Sequence, residues 1–263
     1  MMKITIIGCG IVGATIAYEL SKVPDLEIMV VDAQSTPVQL DSSVCPSATG
    51  AALGVLMGVI SKKEKGNNLR MRLFSLQYYN ELIPELEELT GLKIPFNRQG
   101  ILMLQFDDLS VWNRLVEVRQ TQGYFLEILS PDRLQSDYPF LNLDGMTGAV
   151  YSPNDRQVHP VYLTQALIEG AKRQGATFRF DTEVLEISDR TLQTSQGNLE
   201  TDYLVISAGV GSTKLASVEI RPVLGQAIHV RLPHALSESQ PVITGNDVHV
   251  VPLGGSEYWI GAT

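Results

Sequence analysis

Six residues near the amino terminus, Gly8-Cys9-Gly10-Ile11-Val12-Gly13, constrain this chain more than any other stretch of it. They follow a β-branched, apolar run, Lys3-Ile4-Thr5-Ile6-Ile7, which reads as a buried parallel strand. They lead into a pattern over 10–22 that places Ile11, Ala14, Ala17 and Tyr18 on one helical face. Glu27 to Val31 reads as a second buried strand, ended by Asp32. The sum is a βαβ unit of about 30 residues. In that setting each glycine has a separate task. The first permits the tight turn, the second lets a pyrophosphate approach the backbone, and the third lets helix and strand pack closely. Free amides at the helix start, aided by the macrodipole, suit an anion. Asp32 stands about 20 residues beyond the turn, where its carboxylate meets ribose hydroxyls. Strand, helix and acid together point to a dinucleotide. They do not choose between NAD and FAD, although an acid there would repel the 2′-phosphate of NADP. The bland alternative is a glycine turn that serves packing only.

Composition narrows the class. Of 263 residues, 44% are hydrophobic and 19% charged, the balance of an ordinary globular protein. The formal charge of −9 and a pI near 4.9 argue against a nucleic-acid partner. The best basic run, Lys62-Lys63-Glu64-Lys65, is broken by an acid and followed by Gly66-Asn67-Asn68, so it reads as a solvated loop. Two cysteines, Cys9 and Cys45, are too few for a disulfide framework and lack metal-ligand spacing. Reduced thiols, no metal and a cytoplasmic location are expected. Lys3 followed by Ile4 to Ala17 can be read as a short signal peptide, but three glycines at turn spacing suit strand-turn-helix better. No stretch approaches the roughly 18 apolar residues that an integral membrane segment needs.

Further along, residues 35–68 read as irregular and rich in Ser, Gly and Ala. An amphipathic helix over 69–90 carries Leu69, Leu73, Leu76, Ile83 and Leu86 on one face. A strand over 100–106 follows. Then Asp107 or Asp108 caps a helix running to Gly123, with Leu109, Trp112 and Val116 inward. Ser130-Pro131 opens a short helix. Strands are expected near 147–151, 176–180, 183–188 and 204–207, and a helix over 160–174. A hairpin joins 190–194 to 199–202, with Gly197-Asn198 as its turn. Beyond 222 only β-like runs occur: 224–232, 241–244, 248–252 and 257–262. Parallel α/β text thus occupies 1–60 and about 147–215. Antiparallel β text with added helices occupies 70–145 and 222–263. Two interleaved domains are the simplest account.

Two more stretches have unusually bare backbone. Ser47-Ala48-Thr49-Gly50-Ala51-Ala52 carries only small side chains, so a flat ring or a diphosphate can come close; a flexible loop is the alternative. Tyr203-Leu204-Val205-Ile206-Ser207-Ala208-Gly209 is a buried strand that runs into small residues, or else a plain strand end.

At this point the chain resembles a known family, the D-amino-acid-oxidase-type FAD-dependent oxidoreductases, in the glycine oxidase and sarcosine oxidase branch. The resemblance rests on eight pieces in order. They are Ile6 to Gly13, Val31-Asp32, Ser47 to Gly54, Arg98 to Leu102, Asp155 to Pro160, Val205 to Gly209, Arg221 to Gln226 and Ile260 to Thr263. It implies an α/β fold: a doubly wound, Rossmann-like FAD-binding domain (1–68 and 146–221) with an interleaved substrate domain (69–145 and 222–263) of antiparallel sheet plus helices. It implies that Gly8, Gly10, Ile11, Val12 and Gly13 take the FAD pyrophosphate, and that Asp32, beside Ala33, takes the ribose. Ser47, Ala48, Thr49, Gly50, Ala51 and Ala52 would run along the pyrophosphate and flavin ring. Val184 would meet the adenine through its backbone, and Ala208 and Gly209 would back the cofactor.

The implied chemistry is hydride transfer from an amine-bearing carbon of a small amino acid or amine, with oxygen or another acceptor taking the electrons. No catalytic side chain is nominated, because a neutral amine needs no strong base. Relatives usually carry Glu where Asp32 stands, and a Tyr where His249 stands. His249 is therefore either a substrate contact or a sheet histidine with a satisfied hydrogen bond. Family members also continue past the Gly-Ala-Thr strand, so the resemblance implies a missing C-terminal part and, for these 263 residues alone, poor FAD retention and no turnover. Three alternatives remain open: a 2-hydroxy-acid or glycerol-phosphate dehydrogenase on the same fold, an NAD-dependent dehydrogenase, and a non-catalytic remnant serving as a binding module.

Overall fold

The computed structural model describes residues 1–35, 47–237 and 239–262. Cys45 and Thr263 lie outside the described residues. In chain order the elements begin β1 (Met2–Ile7), α1 (Ile11–Ser21), β2 (Leu26–Val31), α2 (Ala48–Ala51), β3 (Val55–Leu56) and α3 (Asn67–Thr90). Next come β4 (Phe96–Asn97), β5 (Ile101–Gln105), α4 (Ser110–Thr121), β6 (Glu127–Leu129), α5 (Pro131–Asp137), β7 (Gly148–Ser152) and β8 (Arg156–Val158). Then follow α6 (Pro160–Arg173), β9 (Thr177–Arg179), β10 (Val184–Ser188), β11 (Thr191–Thr194), β12 (Gly197–Glu200), β13 (Tyr203–Ile206), a 3-10 turn (Gly209–Gly211) and α7 (Ser212–Leu215). The last four strands are β14 (Gln226–Arg231), β15 (Val242–Gly245), β16 (Val248–Gly254) and β17 (Glu257–Ala262).

Contacts group the chain into two compact units. One comprises Met1–Ala52, Pro84–Ile94 and Pro160–Val223; the other comprises Leu53–Ile83, Pro95–His159 and Leu224–Thr263. The first holds a parallel sheet in the order β13-β1-β2-β9. Residues 4–17 enter this unit as strand, turn and helix. Ala14, Ala17 and Tyr18 of α1 are buried, and α1 packs against α6. The close approach needs Gly170 of α6, where an added Cβ would lie 2.8 Å from the Tyr18 ring. A small antiparallel sheet, β10-β11-β12, completes this unit.

The second unit is built on a seven-stranded sheet, β14-β17-β16-β15-β5-β7-β6. It is antiparallel, as the text after 222 suggested, except where β15 runs parallel to β5. The strand at 148–152 belongs here, between β5 and β6, rather than to the parallel sheet that its α/β-like surroundings suggested. One face of the sheet packs Ile101, Val150, Val242 and Val251 against Trp112 and Leu115 of α4 and against Leu53, Val59, Ile60 and Leu76. Burying side chains of this size stabilises by about 1.5–3 kcal/mol each.

Three local expectations need correction. Neither Asp107 nor Asp108 caps α4; its N-cap is Leu109, without a side-chain bond. The β11–β12 turn is Ser195-Gln196. Gly197 pairs with Thr194 at φ +106°, so its positive φ serves the first strand residue after the turn. The irregular stretch contains a single helical turn, α2, and a two-residue strand, β3.

Candidate functional site

The glycine turn lies at the carboxyl end of β1. Gly8 takes φ +96°, and an added Cβ would meet the Ser207 carbonyl oxygen at 2.6 Å. At Gly13 a Cβ would lie 1.9 Å from the Gly8 carbonyl oxygen, so helix and turn touch backbone to backbone. At Gly10 it would meet Thr49 Oγ1 at 3.0 Å. Ser207, at the end of β13, fixes the turn from behind. Its hydroxyl lies 3.0 Å from both the Ile7 and Gly8 carbonyl oxygens and shares its proton between them.

Two side chains from distant segments organise the helix start. Gly10, the N-cap of α1, offers no side-chain oxygen. Thr49, nearly fully buried, supplies it instead: its Oγ1 accepts the Ile11 amide at 3.0 Å. The Val12 and Gly13 amides are first-turn donors with no preceding helical carbonyl to bond, and the Val12 side chain is exposed. That leaves free amide donors at a helix start, the arrangement that holds an anion. Thr49 is itself held by α2, whose N-cap Ser47 accepts the Gly50 amide at 3.2 Å. Ala48, Ala51 and Ala52 complete this single turn and its end, with the Ala52 amide bonded to the Thr49 carbonyl.

Asp32 stands at the end of β2. Its Oδ2 accepts the Cys9 amide at 2.7 Å and its Oδ1 the Gln34 amide at 2.9 Å. The carboxylate is thus drawn against the glycine turn, at the carboxyl ends of β1 and β2. Ala33, next to it, is exposed. The Cys9 thiol is buried, and burial first, then the Asp32 charge, pushes it up to about 12. Ala208 follows β13, and Gly209 opens the 3-10 turn at φ +56°. Val184, in β10, is buried in a cluster with Ile7 and Val31, against which Ala208 packs. The fold therefore brings together Gly8, Gly10, Ile11, Gly13, Asp32, Thr49 and Ala208, with Val184 in the apolar layer beneath. At Gly8 and Gly13 an added Cβ would strike backbone, so the packing of strand, turn and helix requires these glycines, and the fit to a diphosphate rests on the Val12 and Gly13 amides at the helix start.

His249 belongs to the other unit. It sits on β16, opposite Thr244 of β15 and Gly261 of β17. It is half-buried, and burial lowers its imidazole below the ordinary range. Its Nδ1 is buried with no hydrogen-bond partner among the described residues.

The same unit contains two fully buried charges that the sequence reading did not single out in this role. Asp155 accepts the amides of Gly58 (2.6 Å), Val59 (2.9 Å) and Ile60 (2.8 Å). Arg119 donates to the carbonyls of Val59 (2.9 Å), Ser61 (2.8 Å) and Lys63 (2.5 Å). The adjoining chain is tied down too: Gln157 Nε2 donates to the Leu53 carbonyl and the Val158 amide to the Gly54 carbonyl. Among the described residues, no three His, Cys, Asp or Glu converge as metal ligands, and no helix is long and apolar enough to cross a membrane.

Comparison with known proteins decides the family. The model described as FAD dependent oxidoreductase (DAO) matches residues 3–263. The chain belongs to this family of FAD-dependent oxidoreductases. It is 28% identical over 280 residues to glycine oxidase of Geobacillus kaustophilus (strain HTA426), covering 99% of this chain and 69% of that protein. It is 28% identical to the bifunctional protein ThiO/ThiG of Synechocystis sp., over 99% of this chain but 38% of that one. The crystal structure of the G. kaustophilus enzyme superposes with a TM-score of 0.86 at 25% identity, over 100% of this chain and 72% of that one. Glycine oxidase from Bacillus cereus ATCC 14579 gives 0.84 at 26% identity, over 100% and 71%. The chain of this FAD-dependent oxidoreductase therefore spans about seven-tenths of the glycine oxidases it matches and well under half of ThiO/ThiG.

Proposed function

We propose that the first unit binds FAD, and that the protein oxidises the C–N bond of a small amino acid or amine in the manner of a glycine oxidase. The observation that carries the reading is the double attachment of the glycine turn, through Asp32 to the Cys9 amide and through Thr49 to the Ile11 amide. It leaves the Val12 and Gly13 amides for the pyrophosphate and holds a carboxylate beside the ribose position. Gly8, Gly10, Ile11, Val12 and Gly13 line the phosphates, with Asp32 and Ala33 at the ribose. Ser47 to Ala52 run along the pyrophosphate and the flavin, Ala208 and Gly209 back them, and the Val184 backbone meets the adenine.

FAD, when bound, accepts a hydride from the carbon that carries the nitrogen. The substrate nitrogen loses a proton, and the resulting imine is hydrolysed by water to a carbonyl compound and an amine or ammonia. Oxygen, reduced to hydrogen peroxide, is the proposed final acceptor. His249, on the second unit, is the proposed substrate contact. Burial lowers its imidazole below the ordinary range, and its buried Nδ1 has no hydrogen-bond partner among the described residues.

The test is the spectrum of the purified protein with added FAD. A flavin band that Asp32→Ala and Gly13→Ala weaken supports the site. Anaerobic bleaching by glycine, sarcosine or a D-amino acid supports the substrate class. Bleaching by a 2-hydroxy acid or glycerol phosphate, with none by amines, would replace it.

A further inference from the structure

The acidic chain contains one stretch of opposite character. Residues 62–72 hold Lys62, Lys63, Lys65, Arg70 and Arg72 against a single acid, Glu64, in a protein of formal charge −9. All five cations are exposed, and among the described residues none forms an ion pair. The lone acid is neutralised by Arg114, whose Nη2 lies 2.9 Å from Glu64 Oε2.

Apolar side chains share this face. Met71 and Phe74, three residues apart on α3, are 67% and 66% exposed. Phe74 stacks on Tyr78 at 6.0 Å with ring planes 7° apart. Leaving such side chains in water is unfavourable and marks a surface that meets something less polar. A shallow groove of about 660 Å³ joins the two features, lined by Lys65, Arg70, Leu73, Phe74, Gln77 and Tyr124.

The loop that carries the lysines is pre-organised. Buried Arg119 grips the Ser61 and Lys63 carbonyls, and Gln122 donates to the Glu64 carbonyl. The backbone is held inward while Lys62, Lys63 and Lys65 face solvent. A basic rim around exposed apolar side chains, on a surface that is otherwise acidic, is complementary to an anionic lipid surface. Lysine and arginine meet the headgroups there while methionine and phenylalanine enter the acyl boundary.

We propose that the face formed by residues 62–74 docks this protein peripherally on an anionic lipid bilayer. The proposal rests on charge and exposure alone and does not depend on the flavin or the substrate.

The test is co-sedimentation of the full chain with vesicles of phosphatidylcholine containing one-third phosphatidylserine. The protein should sediment with them at about 0.1 M salt, and not at about 1 M, where the screening length falls to ~3 Å. It should not sediment with pure phosphatidylcholine. Each exposed cation near such a surface contributes a factor of roughly five, so Lys62→Gln/Lys65→Gln/Arg70→Gln should lose roughly a hundredfold in partitioning. The charge-keeping pair Lys65→Arg/Arg70→Lys should bind as the parent does and controls for folding. Met71→Ser/Phe74→Ser should weaken the sedimentation seen at about 0.1 M salt. Absence of sedimentation, equal sedimentation with neutral vesicles, or undiminished binding of the triple variant would each overturn the proposal. So would a concentration-dependent dimer dissolved by Phe74→Ser, which would assign the face to a second copy of the chain.

Discussion

Arg119 and Asp155 hold the same residue from opposite sides: Arg119 Nε donates to the Val59 carbonyl at 2.9 Å, and Asp155 Oδ1 accepts the Val59 amide at 2.9 Å. Both side chains are fully buried, and a strip of peptide separates their charges. Burial pushes the Asp155 carboxyl up, against the pull of Ser152 and three amides, and pushes the Arg119 guanidinium down. Neither charge is compensated without the segment between them. Asp155→Ala orphans three buried amides and removes the larger of the two carboxylate charges that favour charged Arg119, the other being Glu64. The expected loss is about 3–5 kcal/mol, read from denaturant unfolding. Asp155→Asn keeps the volume and should lose less. A loss below that of an ordinary surface substitution would show that the segment does not need the clamp.

The glycine turn should respond to a methyl group according to what that group strikes. Gly13→Ala drives a Cβ into the Gly8 carbonyl, a backbone atom that cannot yield, and Gly8→Ala adds a strained φ. Each should cost about 1–3 kcal/mol or more and abolish flavin uptake. Gly10→Ala meets only the Thr49 hydroxyl and should be milder. Melting temperature and flavin content of the three proteins, side by side, check the order.

Removing the Asp32 carboxylate should weaken the protein before any cofactor is considered. Asp32→Ala deletes bonds to the Cys9 and Gln34 amides, at about 1.5 kcal/mol or more each for a charged acceptor. A melting point unchanged in Asp32→Ala would mean that water replaces the carboxylate at no cost.

Stability should fall in mild acid. Burial lowers His159 from 6.5 to about 4, so the unfolded chain takes up this proton and the folded one does not. The stability contributed is therefore complete above pH 6.5, drains away between pH 6.5 and about 4, and is level below. His249, shifted the same way by burial, adds to the slope. Urea midpoints measured across this range should flatten partly in His159→Gln. An equal slope in the variant would remove His159 from the account.

The Cys9 thiol, held up to about 12, should be inert in the native protein. Iodoacetamide at pH 8 should label the Cys9 peptide only after denaturation, as read by mass spectrometry. Rapid native labelling would place that thiol in solvent.

The legible parts of the molecule were those whose structure is written locally. The strand at 2–7, the helix at 11–21 and the glycines between them follow from β-branching, helical spacing and the demands of a turn. The burial of Leu69, Leu76, Ile83 and Leu86 followed from their spacing. What escaped depends on partners far along the chain. α2 is too short to show a period, and its purpose, presenting Thr49 to Ile11, spans 38 residues. Ser207 looks like any small residue until its hydroxyl meets Gly8, 199 residues away. Arg119 falls on the same helical face as Trp112 and Val116, but nothing nearby announces that carbonyls 56 to 60 residues upstream converge on it. The parallel pairing of β15 with β5 is equally silent, since both strands have the composition of any buried strand.

The place of β1 has a consequence for synthesis. It lies between β2, its early neighbour, and β13, which closes its other edge; the Lys3 amide bonds to Asp202, 199 residues later. At about 5–20 residues per second a ribosome needs tens of seconds to deliver that partner. Throughout that interval an apolar strand stands with one row of amides and carbonyls bare. The nascent chain is therefore a natural client for chaperones, and slowing translation before residue 203 should lengthen the period in which it can aggregate.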